Sequence, residues 1–342
     1  MNLITATLIV TLLGPALGDL FECPTEVGKA KNDLADYFEY YDKYNAYNVE
    51  NVSGFRDNPY GGRDDTYNQM KDMVSPFKEE VFRENLENGD IIYESACGEG
   101  LNLLMTLEIL RETNLHNLTV YGNDYLAESI AIANSVFRQE ASEYMGKFCR
   151  GDSTNLSFVP SDTFDLAYTG FLDPLIDPLH MAADEDMEHD EIVGHSRELC
   201  NSPEPWERKL AAAEQLAQED WHSKWVTELV RIVKPGKIVI IEDVGYPLCS
   251  STESEWGGVS VEWWTEAVDK YRWDVDSQSI RIFLEPWYDN RYNVVMRRNK
   301  ESDKELGQPS PVDQLPSLVD LSSHSLDHGD EDDARSKETN EL

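Results

Sequence analysis

The chain has 342 residues, 40% of them apolar and 10% aromatic, which is enough to bury one large core or two small ones. Its 66 acids against 29 bases give a formal charge of -37; such a surface repels phosphate backbones and anionic membranes, which argues against nucleic acid as a partner. The acidity is not confined to the end, because residues 299–342 hold twelve acids and four bases, a net -8, and leave -29 on the rest.

The first residues, MNLITATLIVTLLGPALGDLFECP, carry an apolar run from Leu3 to Leu13, then Gly14 and Pro15, then small residues from Ala16 to Gly18. This reads as a secretory signal peptide spanning 1–18, although the usual basic start is missing. The run is shorter than the roughly 20 residues of a spanning helix, so no stable membrane insertion is expected once it is removed. The destination is then the endoplasmic-reticulum lumen or the outside, with a cytoplasmic location as the alternative. Sequons at Asn51, Asn117 and Asn155 would be glycosylation acceptors on that route. Five cysteines, Cys23, Cys97, Cys149, Cys200 and Cys249, contain no CxxC pair, which excludes a zinc ribbon by spacing. One disulfide or two are open to them, and Cys97 is expected to be free.

Residues 19–84 form an amino-terminal segment with helical character. In DLADYFEYYDKYNAYN, tyrosines 37, 40, 41, 44 and 47 fall at spacings of three and four, most of them on one helical stripe that packs on the core or covers a ligand. The following VSGFRDNPYGGRDDTYNQ, rich in Gly, Asp and Asn, reads as loop.

From residue 89, short apolar strands alternate with amphipathic helices. Strands are predicted at 90–95, 118–123, 146–151, 164–169 and 237–243. Helices fall near 100–113, 126–145 and 206–233, the last with Leu210, Ala213, Ala217, Trp221 and Trp225 on one side. Such alternation implies right-handed crossovers and an open parallel sheet covered on both faces. A further helix near 260–272 precedes SIRIFLEP and RYNVVMRR, which form an antiparallel hairpin closing one edge. The fold class is therefore α/β, a doubly wound, Rossmann-like, seven-stranded sheet, mostly parallel. From Asn299 the chain is Ser, Asp and Pro rich and is expected to be disordered.

In such a sheet, ligands sit beyond the carboxyl ends of the strands. Gly98 and Gly100 fall at the turn from the first strand into the first helix, where glycine lets backbone approach a ligand closely. A dinucleotide GxGxxG turn starting at Gly98 would need glycine at the position of Leu103, which argues against NAD.

ESACGEG (94–100) resembles instead the E-x-G-x-G-x-G turn of class I S-adenosylmethionine-dependent methyltransferases, of the small-molecule type 11/25 kind, with Ala96 replacing the first glycine and expected to keep a negative φ. The resemblance implies that Glu94 faces the ammonium of the methionine part, with Ala96, Cys97, Gly98 and Gly100 beside it. Asp124, at the end of LTVYGND and next to Tyr125, would accept both ribose hydroxyls, which suits a carboxylate's two oxygens. In FCRGDSTNLSF, Asp152 would accept from the adenine amino group with Ser153 alongside. In SDTFDLAYTGFLDPL, Tyr168 and Thr169 would line the pocket, and LVRIVKPGKIVIIED supplies the family's basic-Pro-Gly turn before the fifth strand. The likeness covers residues 85–298, with an insertion at 174–205.

It implies S-adenosylmethionine as cofactor and a methyl transfer to a small molecule, the acceptor atom being O, N or S; the alternative is a non-catalytic module of the same fold. Candidates on the acceptor side are Tyr41 and Tyr44, as a covering segment, and Asp173, the one candidate catalytic group. His180, His189 and His195, among carboxylates in the insertion, match no defined metal motif, and no metal is expected.

Overall fold

The computed structural model describes residues 20–27, 66–170, 198–246, 249, 257–284 and 291–300. The leader, Tyr41, Tyr44, Asp173, the three insertion histidines and the tail beyond residue 300 lie outside the described residues.

Five apolar runs form parallel strands: β1 (Ile91–Ser95), β2 (Thr119–Asp124), β3 (Met145–Arg150), β4 (Phe164–Thr169) and β5 (Val233–Tyr246). The hairpin follows as β6 (Val275–Leu284) and β7 (Arg291–Arg298). The main sheet runs in the order 3-2-1-4-5-7-6, and β7 pairs antiparallel with both β5 and β6. A two-residue strand, Gly257–Gly258, pairs with the end of β5. Chain order reverses at β1, which has β2 on one side and β4 on the other. That reversal opens the ligand crevice of a doubly wound sheet.

Side chains alternate across the pleat and divide the core into two halves. On one face, Tyr93, Ala167, Val239, Ile241 and Val294 pack under α4 (Pro205–Ile232) and α5 (Val261–Tyr271). On the other, Ile92, Leu166, Ile238, Ile240 and Val295 pack under α2 (Leu101–Glu112) and α3 (Ala127–Glu140). An additional helix, α1 (Thr66–Phe77), leads into a π-helical turn at Lys78–Phe82 that seats Val81 and Phe82 in the second core.

Four local expectations are corrected. Thr66–Gln69 are helical rather than loop. Val74, Phe77 and Val81 recur at helical spacing downstream and carry the helix back into a stretch whose Asp and Asn content signals a turn. In α4 the buried side runs through Ala211, Gln218, His222, Trp225 and Leu229, while Ala213 is exposed. The burial is concentrated in the second half of the helix, where Trp225, Val226, Leu229 and Val230 join the core over β4 and β5. The Lys-Pro-Gly stretch is not a turn before β5 but a bulge inside it, since Val233 pairs with Phe164 and Ile238 with Leu166. Asn299, expected to begin the disordered tail, still bonds through its amide N–H to the Asp274 carbonyl at 3.1 Å.

Two disulfides form, Cys23–Cys149 and Cys200–Cys249, with Cα separations of 5.3 and 5.1 Å; Cys97 is free and buried. The first ties residues 20–27 to β3, where Phe21 enters the core against Tyr121 and Phe158 and its carbonyl accepts from Lys147 Nζ at 2.8 Å. The second fastens the returning end of the insertion to the loop after β5. Asn117 and Asn155 are both exposed.

Ala96 has φ 54°, in the left-handed region, rather than the negative value expected. The chain leaves β1, reverses and enters α2 within five residues, and Gly98 (51°) and Gly100 (78°) turn in the same sense. A Cβ in this region is unfavourable by about 1–2 kcal/mol. Ala96→Gly is therefore expected to raise stability by about 1 kcal/mol in urea unfolding; a less stable variant would contradict the left-handed assignment.

Candidate functional site

The turn is held from the neighbouring strand. Cys97 N–H donates to the Asn123 carbonyl at 2.9 Å, and Gly98 N–H donates to Asp124 Oδ2 at 2.9 Å. Asp124 Oδ1 accepts from Leu126 N–H at 2.8 Å. Tyr125 N–H is a third backbone donor to this carboxylate, which leaves about one acceptor position of four for an incoming hydroxyl. Gly100 caps α2, and a Cβ there would stand 3.0 Å from the Phe137 ring, so only glycine closes this turn against α3.

Farther along the strand ends, Asn123 organises the next two segments. Its amide accepts from Tyr93 OH at 3.0 Å and donates to the Gly151 carbonyl at 2.9 Å and Ser153 Oγ at 3.0 Å. Asp152 Oδ1 accepts from Thr154 N–H and Oγ1, both at 2.8 Å, which fixes the loop after β3. Tyr125 lies under the Arg150 guanidinium, 5.6 Å from its ring centre. Glu94, Ala96, Gly98, Gly100, Asp124, Tyr125, Asp152 and Ser153 thus stand together at the carboxyl ends of β1, β2 and β3. Cys97 joins them by backbone alone, because its thiol turns into the core against Gly122; burial, and then the Asp124 and Glu94 charges, push that thiol well above its ordinary range.

Glu94 has no exposed surface. Its Oε1 accepts from Asn102 Nδ2 at 2.6 Å, and Asn102 Oδ1 accepts in turn from Lys78 Nζ at 2.6 Å. Glu94 Oε2 has no partner among the described residues. Burial raises its pKa to about 8 against the opposing pull of Asn102 and Lys78. Glu99, inside the turn and 6% exposed, also leaves Oε2 unpartnered, and burial followed by the Asp124 charge lifts it to about 9. Asp124 too is raised, chiefly by burial.

Lys78 Nζ also donates to Thr106 Oγ1 at 2.6 Å and lies 5.2 Å from the Tyr168 ring centre. Tyr168, Thr169 and Gly170 line a cleft with Lys78, Glu242 and Asn293. A Cβ on Gly170 would fall 1.9 Å from Asn102 Nδ2. Gly170→Ala must therefore displace the amide that joins Glu94 to Lys78. We expect a loss of about 1–3 kcal/mol in thermal unfolding, and an unchanged midpoint would contradict the close approach.

Sequence reasoning missed Lys78, Asn102, Glu99 and His222. Lys78 did carry a signal, as a charge in register with Val74, Phe77 and Val81. His222, fully buried, bonds through Nε2 to Asp243 Oδ1 at 3.2 Å and through Nδ1 to the Gln218 carbonyl at 3.0 Å.

The strand order, with its antiparallel last pair, is the seven-stranded, mostly parallel doubly wound sheet that the resemblance implies. No family model matches the sequence, and no curated protein does. Among solved structures, the chain is similar to a protein described as a possible exported protein from Bordetella parapertussis, at 11% identity over 66% of this chain and 67% of that one, with a TM-score of 0.43. It is similar to a SAM-dependent methyltransferase from Aquifex aeolicus at 13% identity over 68% and 96% of the two chains, with a TM-score of 0.41. A SAM-dependent methyltransferase from Methanosarcina mazei matches at 15% identity over 65% and 98%, with a TM-score of 0.39.

Proposed function

We propose that the protein is an S-adenosylmethionine-dependent methyltransferase acting on a small-molecule acceptor within the secretory pathway. The observation that carries this reading is Glu94 Oε2, a wholly buried carboxyl oxygen without a partner at the head of a left-handed glycine turn. Leaving such a group unpaired costs on the order of 1–3 kcal/mol, which a ligand ammonium would offset. The residues fit the rest of the cofactor as well. Asp124, held by three backbone N–H groups, would turn its remaining acceptor position to the ribose, and Asp152 with Ser153 would meet the adenine edge.

Once bound, the donor supplies an electrophilic methyl on a sulfonium sulfur. The chain's own tasks are then to align the acceptor and to exclude water. The cleft of Lys78, Tyr168, Glu242 and Asn293, lined also by Val74, Phe77, Phe82 and Ile240, lies near the ends of β4 and β5; at about 10 Å³ it would have to widen to receive an acceptor. Tyr41, Tyr44 and Asp173 remain proposals for the same side.

The leader-like first 18 residues, the two disulfides and the exposed Asn117 and Asn155 favour an oxidising compartment. Among the described residues no helix is long and apolar enough to cross a membrane. The net charge of -37 favours a small molecule over a nucleic acid.

Titration calorimetry with S-adenosylmethionine and S-adenosylhomocysteine should give saturable binding, and labelled donor should transfer its methyl into a metabolite panel. Binding without transfer would identify a binding module; no binding to either compound would refute the assignment.

A further inference from the structure

The glycine turn contains more acid than the resemblance assigns to it. Glu94 and Glu99 flank Gly98, each at least nine-tenths buried and each with Oε2 unpartnered, and Asp124 stands against both from β2. Glu94 is also faced by Lys78 from the π-helical turn, Glu242 from β5, Tyr168 from β4 and the Cys97 thiol in its own turn. The charged neighbour acting on Glu99 is Asp124, which opposes its ionisation. Three acids around one turn, two of them with an idle oxygen, cannot all ionise cheaply in so dry a place.

We propose that the turn is a proton-exchanging cation site, in which a positively charged ligand replaces the protons held on Glu94 and Glu99, and that Glu99 sets its preference for the sulfonium donor over the neutral thioether left after transfer. This rests on the proposed function and adds a residue and a regulation to it. In the exchange each carboxylic acid gives its proton to solvent and the carboxylate pairs with a ligand charge. The ammonium, present on donor and product alike, engages Glu94. The sulfonium charge is present only on the donor, and its loss returns the proton to Glu99. Product release is thereby favoured by the same group that holds the donor. Burial lifts both carboxyls above the ordinary range, Glu94 to about 8 and Glu99 to about 9, which is the direction the exchange requires.

The test is calorimetry at pH 7 in two buffers of different ionisation enthalpy, with S-adenosylmethionine and S-adenosylhomocysteine as the probes. Wild type should release more protons with the donor than with the product. Glu99→Gln should abolish that difference and weaken donor binding on the order of tenfold while product binding changes less than about twofold. Equal proton release with both ligands in wild type overturns the inference without any variant. So does a variant that binds both ligands more weakly by one factor, or neither more weakly. Failure of wild type to bind either compound instead refutes the proposed function, and this inference falls with it.

Discussion

Asp243→Ala is expected to destabilise the fold by about 3–5 kcal/mol, the scale at which one partner of a buried ion pair is removed. His222 lies between two acceptors. The Gln218 carbonyl can only accept, so Nδ1 carries a proton, and the Asp243 carboxylate draws a second onto Nε2. Both ring nitrogens thus face acceptors, and the ring is enclosed by α4, the end of β5 and the rings of Trp221 and Trp263. Burial on its own would lower the His222 pKa, but the Asp243 charge and hydrogen bond, with the Gln218 carbonyl, outweigh it and the net shift is upward. Alanine at 243 leaves His222 Nε2 without its acceptor in a buried site and also removes the acceptor 3.4 Å from Tyr292 OH. Urea unfolding measures the loss, and a change below about 1 kcal/mol would show that the pair holds little.

The same pair gives a pH dependence of definite sign. A histidine raised in the folded state contributes stability that is complete below its unfolded pKa, about 6.5, and is lost as pH rises through the folded value. Glu94 and Glu99 act in the same direction, since each holds a proton in the folded state, up to about 8 and about 9, that the unfolded chain releases from its ordinary 4.5. Without ligand, the melting temperature should fall between pH 6 and pH 9. A rise over that window would contradict these three upward shifts.

Asp124→Ala should weaken S-adenosylmethionine binding about 100-fold, equivalent to about 2.7 kcal/mol. The change deprives Gly98 N–H and Leu126 N–H of a charged acceptor, and such bonds contribute about 1.5–3 kcal/mol each. It also removes the proposed seat of the ribose hydroxyls. Titration calorimetry at one salt concentration reads the effect. Binding within threefold of wild type would place the ribose elsewhere.

The sheet was legible because its strands are apolar on both faces and separated by amphipathic helices, a pattern that parallel pairing enforces. The crevice followed from Gly98 and Gly100. What escaped were features decided by tertiary packing. Ala96 adopts a left-handed φ because the turn must close against β2, which no local propensity encodes. In α4 the stripe through Ala213 misled, because the polar Gln218 and His222 take buried positions that an apolar pattern does not mark. Lys78 reaches Asn102 across 24 residues, and Asn102 reaches back to Glu94 across eight; such bridges need the fold before they can be read. The pairing of four cysteines across separations of 126 and 49 was likewise open until β3 and β5 were placed.

The most direct measurement is a crystal structure of the protein with S-adenosylhomocysteine. The account predicts the adenosyl group beyond β1 and β2, its amino group at Glu94 Oε2 and its ribose at Asp124. A ligand bound elsewhere, or a crevice that stays closed at saturating concentration, would contradict it.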